Sequence, residues 1–466
     1  MPGTARTNSL VLALGATALA VVVGSAQAQF RGPGGQFGGG RFGGGTPVTP
    51  EAVPLPDSWE LVSGPGPMYV SDQSHAPGYT PNDFGYRALE YFVSGTAEGE
   101  PYTTRVVIRR PGSDADYSGL VLAESMHSSG SAHMFEFSAA YIMDSGHIAV
   151  EILTTSPQIM QDFNAARYEQ LSISNGQAND ILGQVGALIK SATGPIGELG
   201  VRNMVLGGTS MSAGTLINYL ADHPRFRTPG DMDHIYDGYF PTSTGSDVPR
   251  VDVPVIEMPT QLEVQSNVTR RDDGDEPGNQ FRLYEFAGIG HVDARDNDRL
   301  LPNPCQHPLS TIPSQAYWSV SLNHLLRWVD EGIVPPRAPR VWLDRDVAND
   351  GSQMILDEHG NPLGGIRSPY VDVPTATYVA SNVAADPLPD DVSDYVAANG
   401  PQGAAIMCRL SNYQYSFDAE TLEDLYGSPR AYRRAFEDRL DELEAEGWSL
   451  PLYRDMILAD AAAIDF

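Results

Sequence analysis

The residues that could do chemistry cluster around one serine. Residues 201–216 read Val-Arg-Asn-Met-Val-Leu-Gly-Gly-Thr-Ser-Met-Ser-Ala-Gly-Thr-Leu. The lead-in is apolar and β-tending, two glycines follow, and small residues then open an apolar pattern of helical period. That is a strand, a sharp turn and a helix, with Ser210 at the apex. Such a turn lifts the serine hydroxyl above the strand ends. The following helix points its first N–H groups at charge developing on a substrate carbonyl. The usual pattern is Gly-x-Ser-x-Gly; here Gly208-Thr209-Ser210-Met211-Ser212 carries serine in place of the last glycine. Ser212 offers a rival frame but has no glycine two residues before it, so Ser210 is the expected nucleophile. A Gly/Ser-rich turn without chemistry looks the same locally, so the assignment needs partners elsewhere in the chain.

A serine hydroxyl is a poor nucleophile without a base beside it. In α/β-hydrolases the chain order is serine, acid, histidine, each just beyond the C-terminal end of a strand. His291 follows a strand-like run and a Gly-Ile-Gly turn, which is the right context. His223 and His234 come too soon after the serine, His307 and His324 lie in or beside a helix, and His359 sits in a late turn. The acid is expected a few residues past the run 253–258, at Glu263, with Glu257 and Asp237 as competitors. One oxyanion donor is expected from the N–H of Met211, and the other from Met126–His127 in the polar loop 125–133. His127 and His133 in that loop, and Ser212 beside the nucleophile, are candidates for touching substrate. Polar residues that merely fold the loop would read the same way.

The elements that must position these residues alternate. Runs at 86–93, 102–109, 119–124, 147–152, 201–206, 235–240, 253–258 and 281–286 read as strands. Helical patterns at 135–143, 181–191 and 316–331 fall between or after them. Such a rhythm implies a mostly parallel sheet covered by helices, with a β-rich N-terminal part. Residues 429–463 read as one or two charged helices packed on the outside. The loops 162–179 and 297–313 are expected to shape the substrate pocket.

The 466 residues are 41% hydrophobic, enough for a large core, with a formal net charge of −30 and Lys190 as the only lysine. Such a surface repels nucleic-acid backbones and anionic membranes, so neither is an expected partner. Residues 1–28 read as a secretory signal, with Arg6, an apolar run at 10–23 and the small-x-small site Ala26-Gln27-Ala28. An uncleaved anchor is the rival reading. Residues 29–49 form a glycine-rich linker, and 50–466 are expected to be one α/β domain with a helical extension. The protein is thus expected to be secreted or periplasmic, with no membrane contact once the signal is removed. Cys305 and Cys408 are the only cysteines, and in an exported protein they are expected to form one disulfide. Their acidic and histidine residues show no His-Glu-x-x-His spacing, so neither a metal nor an organic cofactor is expected.

Several segments together resemble a family of exported serine hydrolases, the alpha/beta hydrolase domain-containing proteins. Gly208, Ser210, Ser212 and Leu216 fit its Gly-x-Ser-x-Ser turn. Residues 287–293 (Ala-Gly-Ile-Gly-His-Val-Asp), 327–336 (ending in Pro335-Pro336) and 364–369 (Gly-Gly-Ile-Arg-Ser-Pro) resemble its later motifs. The resemblance runs from about residue 86 to the C-terminus. It implies the α/β-hydrolase fold and places the acid on Glu263, often an aspartate in the family. Glutamine often stands where this chain has Met211, a departure that leaves the backbone N–H untouched. The expected activity is hydrolysis of small-molecule carboxylic esters by Ser210, His291 and Glu263. Amide hydrolysis on the same fold, or a catalytically silent binding module, are the alternatives.

Overall fold

In a computed structural model, residues 48–466 are described apart from 73–74, 76–77, 267–268, 296 and 345–352. The expected signal segment and nearly all of the glycine-rich linker lie outside the described residues.

Nine segments build the central sheet: β1 (Ser58–Leu61), β2 (Tyr86–Ala97), β3 (Glu100–Pro111), β4 (Leu120–Ser125), β5 (Ile148–Ile152), β6 (Asn203–Thr209), β7 (Gly238–Thr242), β8 (Val255–Glu257) and β9 (Phe281–Leu283). Their spatial order is β9-β8-β7-β6-β4-β5-β3-β2-β1. The strands from β5 to β9 run parallel, while β1, β2 and β3 pair antiparallel with one another and β3 pairs antiparallel with β5. The interior strands are buried on both faces, which is why they read as continuous apolar runs rather than as an alternation.

The period of two still sorts the side chains between two cores. Leu122, Val205, Phe240 and Ile256 face one core with helices α1 (His133–Asp144) and α5 (Ser314–Glu331). Val121, Ala123, Met204, Leu206, Tyr239 and Val255 face the other, with α2 (Ala178–Lys190) and α3 (Met211–Tyr219). Phe137 of α1 stacks on Trp318 of α5 at 4.6 Å. A short helix, α4 (Gln261–Gln265), follows β8.

Several strands are narrower or shifted relative to the sequence expectation, β6 and β9 among them, and for two the cause is local. Pro254 and Pro259 lack ladder donors and confine β8 to Val255–Glu257. Asp237 is spent on a backbone tie to Met204, so β7 begins at Gly238.

The C-terminal extension is helical, as expected, and the structure shows what its apolar faces cover. Helices α6 (Asp394–Leu410), α7 (Ala419–Tyr426), α8 (Pro429–Glu446) and α9 (Arg454–Ala463) make up this extension, the last two being the pair expected over 429–463. In α8, Tyr432, Phe436, Leu440 and Leu443 share one face and are buried in the first core. Trp448 packs edge-on against Tyr284, and Tyr453 Oη meets Ser319 Oγ at 2.7 Å. The charged residues that suggested an outer helix occupy only its opposite face.

Cys305 and Cys408 form the expected disulfide, tying the segment before α5 to the end of α6 across 103 residues of chain. Closing a loop of that size stabilises the fold by about 4–5 kcal/mol in the chain-entropy model. The Cys305→Ala/Cys408→Ala double variant is therefore expected to unfold at clearly lower guanidinium concentration than the oxidised protein. Matching midpoints for the two would contradict this stabilisation.

Candidate active site

Ser210 sits between the last residue of β6 and the first of α3 with φ 56° and ψ −117°. A side chain at positive φ is strained, and the turn has identifiable supports. The Ser210 N–H donates to Thr242 O at the end of β7 (3.0 Å), and its carbonyl accepts from Gly214 N (3.1 Å). Gly208 is required by close approach, since a Cβ there would lie 2.6 Å from the Ser212 carbonyl oxygen. Ser212 is buried, its Oγ donating to Thr209 O and accepting from Thr209 N, both at 2.9 Å. That hydroxyl closes the turn and is not exposed to a substrate. Met211 opens α3 and is 64% exposed, with its sulfur 3.1 Å from Ser128 Oγ.

His291 and Glu263 meet. His291 Nδ1 lies 2.6 Å from Glu263 Oε1. The other carboxylate oxygen accepts from Thr260 N at 2.9 Å and Thr260 Oγ1 at 2.5 Å. Glu263 is thus the third residue of a capping box at the start of α4, not a free loop residue. The spacing Thr260-x-x-Glu263 carries that signal in the sequence, and Thr260 is a supporting residue the sequence reading passed over. Burial alone would raise the Glu263 pKa. The adjoining His291 and the Thr260 donors outweigh that, and the carboxyl is held below its ordinary value.

The imidazole's own turn is fixed from several sides. Gln261 N donates to Ile289 O (3.0 Å), and Gly288 N donates to Gln261 Oε1 (2.7 Å). Ser243 Oγ donates to His291 O at 3.0 Å. Consecutive residues Thr242 and Ser243 therefore tie the serine turn and the histidine turn to the same strand end. Asn412 Nδ2 donates to Gly288 O, and a Cβ on Gly290 would lie 2.8 Å from Asn412 N.

The competing acids lie elsewhere. Asp237 accepts from Lys190 Nζ (2.7 Å) and Met204 N (2.8 Å), at the end of the strands opposite Ser210. It lines a cavity of about 490 Å³ there with Lys190 and His234. Glu257 is buried within β8, and its Oε1 has no partner among the described residues.

In the loop after β4, the backbone donors named from sequence are already used. Met126 N donates to Ile152 O (2.8 Å) and His127 N to Ser131 O (2.9 Å). Neither is open to an oxyanion in this conformation; Ser128, whose hydroxyl touches Met211, lies next in the chain. His133 begins α1, with Nδ1 2.9 Å from Glu136 Oε2, its ring stacked on Phe137 and 4.8 Å from the His127 ring. Glu124 bridges the base of the loop, its two oxygens accepting from Met134 N and Phe135 N, both at 3.0 Å.

One His/Asp group among the described residues has ligand-like spacing: His223, His234 and Asp252. The two imidazoles stack at 4.7 Å with planes only 8° apart. A metal lies near the plane of each imidazole it binds, and two stacked parallel planes share no such point. Asp252 Oδ1 instead meets His223 Nε2 at 2.6 Å, tying two loops together.

A family model described as alpha/beta hydrolase domain matches residues 62–459. No curated protein matches the chain by sequence. Among solved structures, esterase Est22 aligns at 11% identity and TM-score 0.25, over 36% of this chain and 47% of its own. Brefeldin A esterase, a bacterial homologue of human hormone-sensitive lipase, aligns at 11% and TM-score 0.24, over 39% and 43%. A hyperthermophilic esterase from the archaeon Pyrobaculum calidifontis aligns at 12% and TM-score 0.23, over 35% and 48%. Each alignment spans less than half of the solved chain.

Glu257 makes a pH-dependent contribution to stability. Burial pushes its carboxyl from 4.5 up to about 8. Between those values the native protein keeps a proton that the unfolded chain releases, so this group lowers stability as pH rises. Glu257→Gln removes that slope. The stability of the variant relative to wild type is expected to increase steadily from pH 4.5 to pH 8, as read from urea midpoints. A difference that stays constant over this window would contradict the assignment.

Proposed function

The chain belongs to the alpha/beta hydrolase domain family, and we propose that it is an exported serine hydrolase acting on carboxylic esters. The observation that carries this reading is the 2.6 Å contact between His291 Nδ1 and a Glu263 carboxylate fixed by Thr260. The strained Ser210 turn at the start of α3 lies on the same strand end. With Nδ1–H donated to Glu263, the neutral imidazole presents Nε2 as a base.

Ser210 Oγ attacks the ester carbonyl while His291 Nε2 takes its proton. Glu263 orients the ring and stabilises the imidazolium. The carbonyl oxygen becomes an oxyanion, received by the Met211 N–H with Ser128 N–H as the second donor. Collapse breaks the bond to the alkoxy group, which leaves as the alcohol with the proton from His291. Water then repeats the sequence on the acyl-serine, releasing the carboxylic acid and restoring Ser210. Export is part of this reading. It is supported by the signal-like residues 1–28 and the disulfide, and no helix among the described residues is long and apolar enough to cross a membrane.

A fluorophosphonate probe with mass spectrometry of the labelled peptide tests the nucleophile. Label on Ser210 that is lost in Ser210→Ala and kept in Ser212→Ala is the expected result. Loss in folded Ser212→Ala alone would place the nucleophile on the other serine. For the acid, Glu263→Gln is expected to lower kcat by about 10²–10⁴-fold, because an amide does not stabilise the imidazolium. Glu257→Gln is expected to stay within about tenfold of wild type. Reversed effects in folded variants would transfer the role to Glu257.

A further inference from the structure

Two donor groups, one in the loop after β4 and one beside it, have no carboxylate partner among the described residues. The first is on His127. The Ser129 N–H donates to His127 Nδ1 at 3.1 Å, and a backbone N–H can only donate. In the neutral ring the proton therefore sits on Nε2. Burial, the largest influence, holds this imidazole neutral, and the neighbouring His133, His291 and Arg299 act in the same direction. Nε2 is itself buried and has no protein partner among the described residues. A buried donor left unmade is unfavourable, and native structures hold few of them.

The second is the guanidinium of Arg299. Its backbone is fixed at both ends: Arg299 N donates to Asn297 Oδ1 (3.1 Å), and Arg299 O accepts from Ser393 Oγ (2.7 Å). Nη2 donates to Ser131 Oγ, the hydroxyl of the residue whose carbonyl holds His127 N. The guanidinium also lies 6.0 Å from the Tyr395 ring. Among the described residues it is paired with no carboxylate, although the chain carries 59 acidic residues against 29 basic ones. A guanidinium has five donors and no acceptor, and its fork matches a carboxylate.

We infer that Arg299 and His127 Nε2–H form an anion subsite beside the catalytic serine, so the preferred substrates are esters that carry a free carboxylate. The inference rests on the serine-hydrolase reading and adds the substrate class to it. Nearby acids do not compete for the site: Glu136 contacts His133, and Glu263 is committed to His291 and Thr260. The net charge of −30 disfavours anions at long range. Any preference for an anionic ester must therefore arise locally.

The test compares kcat/KM for carboxylate esters with that for neutral esters of matching size. One pair places the carboxylate on the acyl side (nitrophenyl hemiglutarate against nitrophenyl pentanoate). The other places it on the alcohol side (acetoxybenzoate against phenyl acetate). Wild type is expected to favour the carboxylate member of at least one pair by about tenfold or more, the scale of one charge-assisted hydrogen bond. Arg299→Met is expected to collapse that ratio towards one, and Arg299→Lys to retain part of it. His127→Phe is expected to reduce it. Absence of preference in both pairs, with Ser210 labelled by fluorophosphonate, would overturn the subsite and leave the hydrolase reading standing. A preference that survives in folded Arg299→Met would also overturn it. An unlabelled Ser210 would overturn the hydrolase reading and the subsite with it.

Discussion

The site depends on one backbone conformation, the positive φ at Ser210. Holding a residue with a Cβ there costs on the order of 1–3 kcal/mol. The neighbouring residues offset this with specific contacts. Ser212 Oγ bonds both the N–H and the carbonyl of Thr209, and Thr242 O accepts the Ser210 N–H. Gly208 gives the incoming strand room to pass under the start of α3. The second serine of the motif thus supports the first. A glycine in its place would keep the space but lose both side-chain bonds.

Much of this was legible in the sequence, because strand, glycines and helix each have a local signature. The disulfide was legible on other grounds, from two lone cysteines in a chain with a signal-like start. Glu263 was expected on position, yet its mechanical setting was passed over although Thr260-x-x-Glu263 encodes it. The backbone donor at His127 could not be checked from sequence. Whether an N–H is free depends on how the 127–131 loop closes on itself, which no residue pattern there specifies. The packing of the C-terminal helices is not legible for a related reason. A charged amphipathic helix shows its polar face in composition, while the partner of its apolar face is a tertiary fact.

Buried charge follows the same division between support and chemistry. Arg105 lies between Glu90 and Glu151, and Arg109 reaches Asp72 and Glu151, where β2, β3 and β5 adjoin. Those acids face cations. Glu124 and Glu257 have weaker compensation, and burial raises both to about 8. Glu124 also sits near Glu151, which pushes the same way, although two amide donors favour its charged form. Glu263, largely withdrawn from solvent, shows the opposite balance, because three hydrogen bonds, one of them from His291, favour its ionised form. Burial alone does not separate the carboxylate that meets His291 from the other two; the donors around it do.

The histidine turn shows why the C-terminal extension belongs to the scaffold of the candidate site. Residues 287–291 form a short turn with two glycines, which by itself would hold an imidazole loosely. On one side α4 grips it through Gln261. On the other side Asn412 Nδ2 bonds Gly288 O, and Val292 N donates to Leu410 O. These last partners lie at and just beyond the end of α6, two to four residues past Cys408. The disulfide anchors that helix end to Cys305, in the same chain segment that carries His291 into α5. A covalent link, one side-chain bond and one backbone bond on the α6 side, together with the Gln261 contacts of α4, therefore hold His291 in register with Glu263. An extension that merely coated the sheet would leave one of those sides open.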